Sequence, residues 1–277
     1  MKKKNAKILT LVCAAALCVT AFAGCTKVTG NSSSSADSGA KPLSGKTLKV
    51  ATSATFPPFE SVTVDAKGAT QIEGFDMDVL KAMSKDLGFT YTIDNMDFSG
   101  LIGALQSGHD DLVISGISAT DERKKSVDFT DSYFTSKTAL IEKKGGTVTD
   151  TKTMKGKKIA ASFGTQYETL AKASGADVTS LDSGTLVIQE VLNGRVDAGI
   201  TDAAKATVLV KQYPTLDYHV IPSAELGSTV TNAFSIACPK NSTLVSAFNT
   251  EIQKLKENGT INKLTLKWMG ADYLKTK

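Results

Sequence analysis

Cysteine is nearly absent from the part of this 277-residue chain that can fold. Of its four cysteines, Cys13, Cys18 and Cys25 stand near the start, and only Cys238 lies beyond them. A lone thiol forms no internal disulfide, so the fold must rest on its core. Histidine is as scarce. His109 and His219 are isolated in sequence, each reads as a surface or loop residue, and no metal or cofactor motif is present. A surplus of one charge is also missing. The 32 Lys+Arg exceed the 28 Asp+Glu by four, and four lysines (Lys2, Lys3, Lys4, Lys7) stand within residues 1–24, which hold no acid. Without that segment the charges balance, and nothing favours nucleic-acid binding.

What the start does contain is an address. "MKKKNAK" is basic, and "ILTLVCAAALCVTAFAG" is apolar and ends in small residues. The run is too short to favour a stable membrane span and reads as a secretory signal over 1–24. "FAGC" resembles a lipobox, which implies cleavage before Cys25 and lipid, such as palmitate, on that residue. Residues 25–45 are Ser/Gly-rich and almost free of large apolar side chains, as in a flexible tether. The expected location is extracytoplasmic, lipid-anchored to the cell membrane.

From 46 onward, strand and helix patterns alternate. "TLKVA" (47–51), "YTIDNM", "DLVISG" (111–116), "KIAAS" (158–162) and "AGITD" (198–202) read as strands. "FDMDVLKAMSKDLG" (75–88) places Phe75, Val79, Leu80, Met83 and Leu87 on one helical face, and Gly88 stops it. "LIGALQSG", "QYETLAKASG", "LVIQEVLNG" and "AAKATVLVKQY" read as further helices. The rhythm predicts an α/β fold with largely parallel sheets, in which ligands sit beyond the carboxyl ends of strands. Extended segments at 136–142 and 230–240 divide the chain into one lobe of 46–135 with 232–277 and another of 136–231. Two helices close the chain, with Trp268 spaced as a core residue beside Leu264.

Several stretches carry a resemblance. "ATSATFPPFE", "GFDMDVLKAM", "MDFSGLIGALQSGHDDLVISGISATDERKKSVDFTDSYF", "GKKIAASFGTQYETLA", "LNGRVDAGITD" and "LKENGTINKLTLKWMG" are similar to the motifs of the polar amino-acid family of extracellular solute-binding proteins of ABC importers. The third is especially similar to glutamine-binding proteins. The resemblance covers 46–272. It implies a two-lobed, type II periplasmic-binding-protein-like fold that closes about a hinge over one free amino acid. It also implies an ABC importer permease as partner, a monomer, and no catalysis.

The resemblance gives Arg123 a task, because its planar fork suits a carboxylate. Thr120 can cap the short helix that carries it, with Asp121 and Glu122 in the first turn. The competing role is a surface ion pair with Asp121 or Glu122. Ser115, Gly116 and Ser118 follow a strand and offer backbone and hydroxyl partners. Asp202 matches the family's amine-binding acid, and by position it can also cap the helix after it. The amides of Gly164, Thr165 and Gln166 open a helix and would face an anion. Phe56 and Phe98 match the aromatic positions that sandwich a ligand side chain, Phe59 packs beneath the loop, and Tyr133 and Phe134 begin the first crossing.

Two positions depart from the relatives. Ser53 and Ser162 stand where glutamine or histidine binders place charged side-chain readers. An uncharged amino acid is therefore favoured, with cystine or glutamine first, unless Glu60 faces the pocket and accepts a cation. Rival readings are a dehydratase-type enzyme on the same fold and a ligand-sensing module without transport. The lipid assignment predicts that Cys25→Ser yields soluble or unprocessed protein. Membrane fractionation checks this, and a mature variant still tightly anchored would contradict it.

Overall fold

The computed structural model describes residues 41–227, 230–271 and 273. The expected signal, Cys25 and the tether up to residue 40 lie outside the described residues. No helix among the described residues is long and apolar enough to cross a membrane.

Two five-stranded sheets organise the chain. In the first, the strands run in the order Thr90–Asn95, Thr47–Thr52, Leu112–Val113, Ala237–Pro239 and Val127–Phe129. In the second, the order is Asp177–Leu181, Lys158–Ser162, Ala198–Asp202, Thr138–Lys143 and Leu216–Val220. The first three strands of each sheet are parallel, as the alternation predicts. Ala237–Pro239 and Thr138–Lys143 run antiparallel to both their neighbours. The expectation of largely parallel sheets holds, since four of the five strands in each sheet run one way, and the crossings explain the two exceptions. Each strand starts where the chain arrives from the other sheet, and so it enters its own sheet from the end at which the parallel strands leave. The crossings pair with each other, Phe134 opposite Phe234 and Thr135 opposite Ala233.

Burial explains why the central strands read as apolar runs. Leu112, Val113 and Ile114 are fully buried, as are Ile159, Ala160 and Ala161, because helices cover both faces of each sheet. The helix Phe75–Leu87 packs the five side chains of its apolar stripe into the first core, beside the C-terminal helices Leu244–Glu257 and Thr260–Met269. Gly88 takes the left-handed conformation that ends it, φ 85°. Trp268 is only partly buried, and its indole N–H donates to Asp78 Oδ2 at 2.7 Å. Its polar edge thus draws it out of the core position that spacing alone suggests.

A hairpin of Thr55–Phe56, Glu60–Val64 and Thr70–Glu73 hangs from the first sheet and turns at Gly74 into the first long helix. A Cβ at Gly74 would stand 2.0 Å from the Phe59 carbonyl oxygen, so no side chain fits there. Beneath the hairpin, Phe59 is fully buried against Phe56, Phe75, Phe134 and Phe234, with ring centroids 5.1–6.1 Å apart. This aromatic cluster joins the loop before the hairpin to both crossings.

Candidate functional site

The carboxyl ends of the two sets of parallel strands face one another across a cavity. The first sheet's side contributes Ser53, Phe56, Phe98, Ser115, Gly116, Ser118 and Arg123 to its wall. The other side contributes Ser162, Thr165 and Gln166. Asp202 is fully buried just behind Ile200 and Thr201, which do line it. Glu60, Tyr167 and Asp182 also reach the wall, and Lys205 stands 5.2 Å from the Phe56 ring centroid.

Arg123 is built in from its own short helix. Thr120 caps it, its hydroxyl accepting from Arg123 N at 3.3 Å. The guanidinium donates to the Ser118 carbonyl at 2.9 Å and, across the seam, to the Gly164 carbonyl at 3.2 Å. It lies 5.2 Å from the centroid of the Phe98 ring. Asp121 and Glu122, its possible surface partners, pair instead with Lys124 and Lys125. Among the described residues no carboxylate forms an ion pair with it. Burial pulls its pKa down to about 10, so it remains a cation at neutral pH. Two of its five N–H groups have neutral acceptors, and the rest are available to an anion.

Asp202 is the opposite case. It caps the helix Ala203–Gln212, Oδ1 accepting from Ala204 N at 2.7 Å. Oδ2 is buried and makes no hydrogen bond of good geometry among the described residues, although the Ser136 hydroxyl and the Lys205 amide lie near enough to the carboxylate to favour its charge. Burial raises its pKa to about 7. The hydroxyl of Tyr167 is likewise buried without a partner among the described residues, and its electrostatic neighbours include both Asp202 and Arg123. A cation and an anion of the protein therefore share one seam without pairing with each other.

Other hydroxyls and amides are already engaged. Ser115 Oγ accepts from Ser53 N and donates to Glu60 Oε1, both at 2.9 Å. Ser118 Oγ donates to the Thr231 carbonyl at 2.8 Å. Gln166 spends its side chain on Thr231 and Ser118, tying this helix to the second crossing. Gly164 N donates to Glu168 Oε2 at 2.8 Å, so it does not present a free amide to an anion as expected. Thr165 caps its helix. Gly116 has φ 50°, and a Cβ there would stand 2.8 Å from the Phe56 ring, so ring and backbone are in direct contact. Phe56 stacks on Phe59 rather than facing Phe98, whose ring is against Arg123.

A second charged group lies under the hairpin. Asp76 Oδ2 accepts from Gly116 N and from the Tyr133 hydroxyl, each at 2.7 Å. Burial raises its pKa to about 6. Glu60 is held well above the ordinary carboxyl range, first by burial and then by the charge of Asp76. Burial disfavours charge on both carboxyl groups, and the charge of Asp76 adds to this at Glu60. Lys205, 2% exposed, donates to the Thr55 carbonyl at 3.0 Å. Burial lowers its pKa to about 8, with Glu60 and Asp202 supporting its charge. Lys205 and Tyr167 escape sequence reasoning because both occupy positions of amphipathic helices that spacing assigns to the core. The one signal for Lys205 is a cation in a helix's first turn, against the helix dipole.

Known proteins are similar to this chain over most of its length. Residues 48–271 match the family "Bacterial extracellular solute-binding proteins, family 3". The arginine-binding extracellular protein ArtP of Bacillus subtilis is 34% identical over 93% of this chain and 96% of its own length. The L-cystine-binding protein TcyJ of Escherichia coli is 32% identical over 83% of this chain and 85% of its own. The solved structure of an ancestral arginine-binding protein bound to glutamine has a TM-score of 0.72 at 39% identity. It covers 81% of this chain and 98% of that one.

The raised carboxyl pKa values have a consequence for stability. A folded-state pKa above the unfolded value contributes stability that is complete at low pH and lost as pH rises through the folded value. With Asp202 near 7 in the fold and 3.8 as its ordinary value, its share of that loss between pH 5 and 7 is about 2 kcal/mol. Lys205 stays charged across this window. The ligand-free protein should melt roughly 4–8 °C higher at pH 5 than at pH 7. Asp202→Asn, which keeps the cap, should remove much of that difference. A wild-type melting temperature that rises with pH here, or an unchanged slope in the variant, would contradict the assignment.

Proposed function

We propose a function for a chain that belongs to the bacterial extracellular solute-binding proteins of family 3: capture of one free amino acid between its lobes for delivery to an ABC importer. The observation that carries the reading is a pair of buried groups without an ion-pair partner among the described residues, the Arg123 guanidinium and Asp202 Oδ2, which share Tyr167 as an electrostatic neighbour. An α-amino acid brings the carboxylate that the first lacks and the ammonium that the second lacks. The Tyr167 hydroxyl, buried without a partner among the described residues, has both groups as electrostatic neighbours. Each lobe holds part of the same zwitterion, so binding favours the arrangement in which both are near. The resemblance at "FAGC" supports a lipid on Cys25 that holds the receptor at the outer face of the membrane. Catalysis has less support, since the pocket acids already have binding or structural work and the relatives are named as binding proteins.

The side-chain end of the pocket favours a neutral ligand. Burial disfavours negative charge on Glu60 and Asp76, and the Lys205 ammonium is an electrostatic neighbour of Glu60. A cationic side chain meets no surplus of negative charge there, and burying it unpaired is costly. A second reading is an arginine-type ligand. It rests on Glu60, which does reach the cavity wall, and on relatives whose names specify arginine.

One series of measurements separates the two. Thermal shift of wild type against single amino acids at equal concentration should rank L-cystine and L-glutamine above L-arginine and L-lysine. Lys205→Met keeps the length of the side chain and removes its charge. It should raise the relative affinity for L-arginine by about tenfold or more, on the order of one uncompensated charge in the pocket. Arginine or lysine first in wild type would overturn the neutral-ligand reading and make Glu60 the reader.

A further inference from the structure

Away from the cavity, on the outer edge of the first sheet, three side chains converge that are far apart in sequence. Asp94 lies in the strand Thr90–Asn95, and His109 and Asp110 lie in the turn between the helix Leu101–Gln106 and the strand Leu112–Val113. A ligand atom from each, an imidazole nitrogen and two carboxylate oxygens, lies within 4.8 Å of the others. His109 Nε2 is 3.0 Å from Asp94 Oδ2. In sequence His109 reads as an isolated surface residue, and its side chain is indeed 60% exposed. What spacing does not reveal is the strand end that folding places beside it.

Asp110 turns a surface pair into a candidate site. It is 2% exposed, and both of its carboxylate oxygens are buried with no hydrogen-bond partner among the described residues. An unpartnered buried carboxylate is costly, and it needs either a proton or a cation. Its neighbour Asp111 is already committed, accepting from Lys49 N at 2.8 Å. We propose that Asp94, His109 and Asp110 form a binding site for a divalent transition-metal ion of the zinc class. Two carboxylates balance a double positive charge. The imidazole selects against calcium and magnesium, and the absence of thiolate selects against soft ions. Bonds of about 2.0–2.2 Å need the donors to close in by a fraction of an ångström to an ångström. The partly exposed side chains of Asp94 and His109 can make that move, and water can complete the shell. The bound ion would clip the strand end at Asp94 to the turn at His109. That closes the loop carrying Phe98, which packs on Arg123.

The test uses the full chain without a histidine tag, treated with EDTA and titrated with zinc chloride. Calorimetry and thermal shift are read in parallel. One zinc per chain is expected. At roughly 100 times the dissociation constant, the melting temperature should rise by about 5–10 °C. His109→Ala, at an exposed position, should fold normally and lose this response. Asp110→Asn should lose it too, while His219→Ala should keep it. No zinc-dependent rise in wild type would overturn the site. A rise retained in His109→Ala would place the zinc elsewhere and overturn it equally.

Discussion

The rest of the structure depends on keeping charged groups buried at one seam without letting them neutralise each other. Arg123, Lys205, Asp202 and the Glu60–Asp76 pair all lie where the two sheets face each other. The two bases and Asp202 are held by helix caps, carbonyl oxygens and aromatic faces rather than by ion pairs of the usual surface kind. Such an arrangement is costly for the protein alone. Burial shifts each group toward its neutral form, as the pKa values of Arg123, Asp202 and Lys205 record. On the proposed reading, a zwitterion of matching geometry would relieve that cost. The strain therefore belongs to the same residues as the proposed recognition.

The surrounding fold supplies rigidity at each point. Thr120 and Thr165 fix the two helix starts that face the seam. Gln166 binds its helix to Thr231, next to the returning crossing. Phe59 stacks under Phe56 and touches Phe134 and Phe234 on both crossings. The packed rings thus connect the crossings to the wall of the cavity. This is a physical route by which closure and ligand contact can be coupled.

Much of this was legible in the sequence, and the remainder has identifiable causes. The alternating strands and helices are local, so their periodicity shows directly. The capped helix start that holds Arg123 was legible in the hydroxyl and acidic residues around it, and the family resemblance suggested a carboxylate partner. The two antiparallel strands were not legible, since direction within a sheet depends on where a crossing arrives. Gly164 could not be judged either. Whether its amide is free depends on Glu168, one helical turn away, folding back onto it. Lys205 and Tyr167 occupy helix positions that periodicity assigns to a core, and Asp110 lies in a turn that reads as surface. Their significance comes from burial without a matching partner, which only three-dimensional contacts reveal.

The central claim is that the Arg123 guanidinium holds the carboxylate of an amino acid. Isothermal calorimetry of Arg123→Ala against the amino acid that binds wild type most tightly tests it directly, with circular dichroism as the check on folding. The account predicts an intact fold and an affinity lower by about 30-fold to several thousand-fold, the usual effect of removing one partner from a buried charge pair. Wild-type affinity in a folded Arg123→Ala protein would contradict it.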